Sequence, residues 1–392
     1  MSGETFEVDI ERILPGGVGL AHAEGKTFFV SLAAPGDRLR VQVDRSQGNL
    51  LFASIVEILT PSPYRIEPPC PYFGRCGGCD FQQMTYLAQL QAKAGIIKDC
   101  LHRIAKLQDV PEVTVMPSPQ EWRYRGRATW QFDSEQERIG YYERGSRRVC
   151  DVVDCAVLRP ELQAVLEQVR SLGWSRIPAD LKHLEVTASE SARSFSPGFD
   201  VLRTTEVSVR VAGDEYSYNA AAFFQANQFL LGPLIDAAVG GASGKCALDL
   251  YSGVGLFTIA LARRFERVLA VESSPEAIRF ARANVNQANL RNTRVLGTTV
   301  TDWFRQKANE IGPVDFLLLD PPRAGAESAA IRGILDLRPR LISYVSCDPA
   351  TLARDLKKLI AGGYELGPIE GFDMFPQTHH VETVVHLSWS GI

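Results

Sequence analysis

The sequence predicts an α/β protein whose C-terminal half is a doubly wound parallel sheet. Three observations predict it. From about residue 211, apolar runs (CALDLY, RVLAVE, TRVLG, VDFLLLD, LISYVSC, VETVVHLSW) alternate with amphipathic stretches such as PEAIRFARANVNQA and PATLARDLKKLIA, the texture of strands joined by crossover helices. One of those strands runs into a glycine turn, Asp249-Leu250-Tyr251-Ser252-Gly253-Val254-Gly255, where such sheets hold their ligands. The first 59 residues show strand alternation and turns with no helical period, so an all-β unit comes first.

Taken in order, residues 1–59 contain FEVDI, a PGGVG turn, KTFFV, LRVQV and FASIVEIL, the makings of a small OB-like β-barrel. Thr60-Pro61-Ser62-Pro63 reads as a linker. Residues 60–210 are mixed α+β: a cysteine-bearing loop, a helix from about Met84 to Ala105 with Tyr86, Leu87, Leu90, Ile97 and Leu101 on one side, and an antiparallel sheet from RATWQF, RIGYYE, LEVTAS and EVSVRV. Residues 211–392 form the alternating unit. A chain of 392 residues has room for two or three domains, at ~150 residues each. Its 45% hydrophobic and 22% charged residues are those of a globular protein. It has no run of ~18 apolar residues, so no transmembrane helix is expected. The acidic, polar start lacks the basic end and apolar stretch of a signal peptide, and a cytoplasmic location follows.

The net charge of -4 argues against a uniformly basic nucleic-acid binder, yet the cations cluster. Arg123, Arg125 and Arg127 alternate with Trp122, Tyr124 and Trp130, and Arg138, Arg144, Arg147 and Arg148 surround Tyr141 and Tyr142. Such a run is either a set of solvated strand faces or a surface that contacts phosphates and stacks bases.

The candidate chemistry lies at strand ends. Glu272 closes the strand after the glycine turn, twenty-three residues beyond Asp249, where a carboxylate accepts both ribose hydroxyls of a nucleoside. Ser273 or Ser274 caps the next helix and Pro275 starts it. The turn lacks the third glycine that packs over a pyrophosphate, so S-adenosylmethionine fits better than NAD. Asp320-Pro321-Pro322-Arg323 stiffens another strand exit and points at the same methyl donor. Cys347 ends LISYVS just before a helix, whose N-terminus favours a thiolate. Glu382 opens the last strand beside an aromatic and His-rich loop, placed to take a proton. Cys70, Cys76 and Cys79, with Gly77 and Gly78 between them, form a compact three-thiol loop. Four thiolates suit zinc or an iron–sulfur cluster alike.

The segments VSCDPATLARD, LDPPRAG, DLYSGVGLFT, FFQANQ and FPQTHHVETVVHL resemble the signature segments of RNA uracil-5 methyltransferases, and the resemblance extends over the whole chain. Residues 1–59 are similar to a TRAM domain through GGVGL, KTFFV and APGD, and the central segment is similar to the family's iron–sulfur region. The resemblance implies a Rossmann-like S-adenosylmethionine-dependent methyltransferase domain. It makes Cys347 the nucleophile and Glu382 the general base. Gln225, Tyr251, Glu272 and Asp320 would hold S-adenosylmethionine, with Asp302 at the adenine. Cys155 becomes the fourth ligand, beside Cys70, Cys76 and Cys79, of a 4Fe–4S cluster, and Cys150 is a spare. The chemistry needs these types independently: a soft nucleophile adds to uracil C6 so that C5 can attack the methyl, and a base then removes the C5 proton. Cytosine-5 methyltransferases carry a Cys in the strand-four proline motif, and Asp320-Pro321-Pro322-Arg323 has none. The expected substrate is RNA, 23S ribosomal RNA ahead of transfer RNA, with no membrane and no obligate protein partner, and the chain a monomer. A non-catalytic RNA-binding protein is the alternative.

Overall fold

A computed structural model describes residues 3–306 and 311–391. Strands β1 (Thr5–Asp9), β2 (Arg12–Leu14), β3 (Val18–Ala23), β4 (Lys26–Ser31), β5 (Arg38–Gln47) and β6 (Leu50–Thr60) form one sheet in the order β1-β5-β6-β4-β3-β2. Alternation sets its inside: in β5, Leu39, Val41 and Val43 are buried while Arg38, Gln42 and Asp44 face water. Strand β1 also packs on β3, so the sheet curls around Val8, Phe28, Val41 and Leu51.

Helix α1 (Tyr86–Cys100) follows, then β7 (Thr114–Met116). A five-stranded sheet of β8 (Arg127–Asp133), β9 (Arg138–Tyr142), β10 (Val149–Asp151), β11 (His183–Ala188) and β12 (Arg193–Ser196) runs in the order β10-β9-β8-β11-β12. Helix α2 (Pro160–Ser171) backs it over Trp130, Leu166 and Leu184. EVSVRV is not in this sheet: β13 (Val207–Val211) pairs instead with β14 (Asp214–Tyr218) in a separate hairpin. Helix α1 also differs from expectation. It stops at Cys100 and continues as a π-turn over Leu101–Ala105, and Leu87 is 63% exposed. Its buried face is instead Ala88, Gln89, Lys93, Ile96, Ile97 and Cys100, because its two polar members find partners across the fold.

The C-terminal layer contains α3 (Leu231–Val239), β15 (Gly244–Leu250), α4 (Leu256–Ala262), β16 (Phe265–Glu272), α5 (Pro275–Gln287), β17 (Thr293–Gly297), α6 (Val300–Gln306), β18 (Phe316–Leu319), α7 (Ser328–Leu337), β19 (Leu341–Ser346), α8 (Pro349–Ala361), β20 (Tyr364–Phe372) and β21 (Glu382–Trp389). The sheet order is β17-β16-β15-β18-β19-β21-β20-β7. Strand β21 is antiparallel to both its neighbours, and β17, β16, β15, β18 and β19 are mutually parallel. Both faces are covered, as a parallel sheet requires: Leu317 and Leu319 point into one core and Phe316 and Leu318 into the other. Helix α5 starts where Ser274 caps Ala277 N, with Pro275 in its first turn. It buries Ala277, Phe280, Ala281, Asn284 and Val285, one face at helical spacing.

The middle segment reaches into this layer twice. Strand β7 adds in parallel to β20, and Ile97, Cys100, Leu101, Ala105 and Val113 sit in the C-terminal core. Asn284 of α5 accepts from Ser217 N at 2.8 Å, anchoring the β13–β14 hairpin.

Candidate active site

Every parallel strand delivers its carboxyl end to one edge. Strand β15 ends in a turn through Tyr251, Gly253 and Gly255 at φ 60°, 56° and 94°, a left-handed path that glycine follows without strain. Glu272 Oε2 accepts from Gly253 N at 2.9 Å, and its Oε1 from Ser273 N and Ser274 N at 2.7 Å each. Three amides thus fix this carboxylate with acceptor capacity to spare. Asp249 is buried; its Oδ2 accepts from Thr258, and its Oδ1 has no partner among the described residues. Burial lifts its pKa to about 7, with Asp320 and Glu272 adding to the rise. Tyr251 donates to Glu327. Gln225 is buried in the loop after β14, where Phe224 stacks on Tyr218 at 4.3 Å. Asp302 reaches the same edge, but its carboxylate accepts from Thr299 at 2.9 Å and Arg305 at 3.0 Å within its own turn.

Strands β18, β19 and β21 bring Asp320, Cys347 and Glu382 together. The Cys347 thiol is pushed up to about 12 by burial first and then by the Glu382 and Asp320 carboxylates, while Arg323 pulls it down. Burial thus outweighs the help expected from the N-terminus of α8. Asp348 caps α8 through Ala350 N and Thr351 N, both at 2.9 Å, so the helix spends those amides on its own carboxylate. Glu382 is 2% exposed with Oε1 unpartnered among the described residues. Burial, then Asp320, raises its pKa well above the ordinary value, and Arg323 opposes this. Burial likewise lifts Asp320 to about 7. Arg323 Nη2 lies 3.3 Å from His380 Nε2, and burial lowers His380 to about 3, leaving that imidazole neutral at pH 7.

The loop 373–381 carries the chain from β20 to Glu382 and is held from outside its own layer. Lys93 donates to Asp373, with both side chains fully buried, and to Phe375 O at 3.0 Å. Tyr124 donates to Pro376 O at 3.0 Å. Asp80, next to Cys79, accepts from His379 N at 2.8 Å and contacts its ring at 2.5 Å. A Cβ on Gly17, in the turn between β2 and β3, would stand 2.9 Å from Asp80 Oδ2 and 3.1 Å from His379 Cβ. The β2–β3 turn, Asp80, helix α1 and the segment before β8 therefore all border this loop. Sequence reading missed Asp80, Gln89, Lys93 and Arg323; the available signal was Gln89 and Lys93 at i, i+4 on an otherwise apolar helix face.

The arginine–aromatic run is interior only in part. Trp130 and Tyr124 are buried, and Arg127 donates to Glu185 and to the carbonyls of Ala220 and Ala222. Strand β8 points its even residues inward, which decides the matter for Trp130. On the second run Tyr142 remains 42% exposed.

Cys70, Cys76, Cys79 and Cys155 line one cavity with Gly78, Gln82, Arg125 and Tyr141. Cys150 is not among them; its sulfur accepts from Arg75 Nε at 3.2 Å. A Cβ on Gly78 would touch Cys76 Sγ at 3.5 Å, and one on Gly77 would crowd Tyr142 O at 3.0 Å, so Gly77 lets the loop approach the strand beside it. Burial raises the Cys76 thiol to about 11 and moves Cys79 and Cys155 in the same direction, and the Tyr141 hydroxyl is buried without a partner among the described residues. Among those residues no three His, Cys, Asp or Glu side chains close on one point as ligands of a single ion do. No helix among them is long and apolar enough to cross a membrane.

Comparison with known proteins places these features in context. Residues 199–390 match the tRNA (uracil-5-)-methyltransferase family model, and residues 1–56 the TRAM domain. An uncharacterized RNA methyltransferase of Thermotoga maritima is 33% identical, covering 97% of this chain and 98% of the relative. The 23S rRNA (uracil(1939)-C(5))-methyltransferase RlmD of Pectobacterium atrosepticum is 32% identical over 97% of this chain and 93% of its own. The Pyrococcus abyssi tRNA (uracil-54, C5)-methyltransferase, solved with S-adenosyl-L-homocysteine, shares the fold with a TM-score of 0.74 at 24% identity, covering 97% of this chain and 100% of that one.

Proposed function

The chain belongs to the RNA (uracil-5-)-methyltransferase family, and from that premise we propose that it methylates a uridine of 23S ribosomal RNA through Cys347 and Glu382. That it is an S-adenosylmethionine-dependent enzyme acting on uracil C5 in RNA comes with the family. The observation that carries the residue assignment is the convergence of Cys347, Glu382 and Asp320, in mutual electrostatic contact, at the strand edge that also holds Glu272.

In the proposed sequence the Cys347 sulfur bonds to uracil C6, and the C5–C6 electron pair moves onto the ring as an enolate. S-adenosylmethionine supplies a methyl group on a sulfonium. Carbon C5 takes that methyl as its bond to sulfur breaks. Glu382 then accepts the C5 proton, the electron pair restores C5=C6, and the thiolate leaves. The raised Cys347 pKa leaves the thiol protonated at pH 7, so its proton must leave as the sulfur adds to C6. Glu272 would accept the ribose hydroxyls of the donor, and Gln225, Tyr251 and Asp320 would hold the rest of it. Asp302 would accept from the adenine with the capacity left beside Thr299 and Arg305.

The domain division 1–59, 60–210 and 211–392 goes with distinct tasks: the first two grip RNA, and the third carries the chemistry on a base flipped out of its stack. Cys70, Cys76, Cys79 and Cys155 would hold a 4Fe–4S cluster, a reading supported by their shared cavity. No step is routed through it. The 23S substrate rests on the relative named above, and the test decides it. Ribosomal RNA tritiated at uracil C5 should release tritium only with S-adenosylmethionine and intact Cys347. Release from transfer RNA alone would move the substrate, and release by Cys347→Ala would remove the thiol mechanism.

A further inference from the structure

The loop that delivers Glu382 pivots on Gln377. This residue is 2% exposed and sits at φ 70°, a left-handed backbone region that a side-chain-bearing residue keeps only where its surroundings hold it there. Gln89, on the buried face of α1, supplies a reciprocal clamp: its Oε1 accepts from Gln377 N at 3.0 Å, and its Nε2 donates to Gln377 Oε1 at 2.9 Å. The same amide donates to Met84 O at 3.1 Å, tying the clamp to the start of its own helix. On the far side, Gln377 O accepts from Asp80 N and Phe81 N, both at 3.1 Å. The backbone N–H, the backbone carbonyl and the side-chain oxygen of this one residue are therefore all gripped by the segment 80–89, and four residues separate it from Glu382.

We infer that Gln89 is a positioning residue for proton removal: by clamping Gln377 in its left-handed conformation it sets where the Glu382 carboxylate stands over the C5 proton. Gln89 is not itself at the strand edge, and the donor and Cys347 are carried on other elements. Loosening it therefore shifts the base while leaving the nucleophile and the donor site in place. The proton-removal step, which follows methyl transfer, is the one that slows, so the methylated RNA stays bonded to Cys347. The inference rests on the Glu382 assignment proposed above.

The test compares wild type, Gln89→Leu, Gln89→Glu and Glu382→Gln with ribosomal RNA and labelled S-adenosylmethionine, reading kcat, KM and the denaturation-resistant, methyl-labelled protein–RNA adduct. Gln89→Leu should lower kcat by between about 10- and 100-fold, the cost of displacing a reacting group by about 1 Å, with both KM values unchanged and the adduct enriched. Gln89→Glu keeps acceptors for Gln377 N and for a flipped Gln377 amide and should recover most of kcat. Adduct enrichment in Glu382→Gln but not in Gln89→Leu overturns the role of Gln89 alone. No enrichment in either overturns the Glu382 assignment and this inference with it. Should Gln89→Leu lose its circular-dichroism spectrum, Gln377→Gly decides on the same readouts, since glycine keeps the left-handed backbone and its N–H bond to Gln89 but drops the side-chain half of the clamp.

Discussion

Replacing Lys93 by Met tests how the loop before Glu382 is held. Lys93 and Asp373 are both 0% exposed at the side chain, and they contact each other from segments 280 residues apart. Removing the cation leaves a buried carboxylate without its counter-charge, which costs about 3–5 kcal/mol in comparable pairs. A second route gives a similar figure. A lone buried carboxylate escapes by taking a proton, at about 1.4 kcal/mol for each pH unit above the ordinary aspartate value near 3.9, or about 4 kcal/mol at pH 7. The variant therefore binds a proton in the folded state that its unfolded chain releases, so its stability falls as pH rises. Urea unfolding followed by circular dichroism should show a gap from wild type of about 4 kcal/mol at pH 7, narrowing to about 1.5 kcal/mol at pH 5. The double variant Lys93→Met with Asp373→Leu should recover most of the loss, because no charge is then stranded. A gap under about 1 kcal/mol at pH 7, or one that widens on acidification, would refute the buried-pair account.

Further outcomes follow from the site. Because burial and two carboxylates raise Cys347 to about 12, thiolate grows as pH rises, and kcat/KM for tritium release should climb up to about tenfold per unit between pH 6 and 8; Arg323→Ala, which removes the cation lowering both Cys347 and Glu382, should move the profile to higher pH. Cys155→Ala should lose the iron measured in anaerobically purified protein while Cys150→Ala keeps it, since only Cys155 lines the shared cavity. Glu272→Gln should weaken S-adenosylmethionine binding by calorimetry about tenfold or more, the worth of a hydrogen bond to a charged group. Gly17→Ala, whose new methyl would press on Asp80 and His379 at φ 75°, should lower the melting temperature while Gly16→Ala, with open space at its Cβ, lowers it less.

Much of the fold was legible because its signals are local. Six strand runs of the C-terminal sheet, the cap at Ser274 and the glycine turn all lie where their residues point. Strand β20 escaped because Gly367-Pro368 interrupts it, and there the pairing with β21 shifts register between Leu366 and Ile369. The helix face of α1 was misread because Gln89 and Lys93 are buried by partners at residues 373 and 377, a long-range fact that periodicity does not contain. The fate of Arg127 was hidden for the same reason: Glu185 and two distant carbonyls absorb it, whereas Arg147 and Arg148 are exposed. Cys347, Glu382 and Asp320 were legible as strand ends, but the direction of the thiol's pKa depended on neighbours from three different strands.

Strand β7 has a consequence for the order in which this chain is made. Met116 pairs with Phe372, so an outer strand of the sheet is synthesised some 250 residues before its partner. At 5–20 residues per second the ribosome takes about 12–50 s to close that interval. During it, Ile97, Leu101 and Val113 have no C-terminal core to enter, and the exposed edge is available to a neighbouring nascent chain. Shortening that wait, by circular permutation that places residues 84–116 after β20, should raise the soluble yield of freshly translated protein.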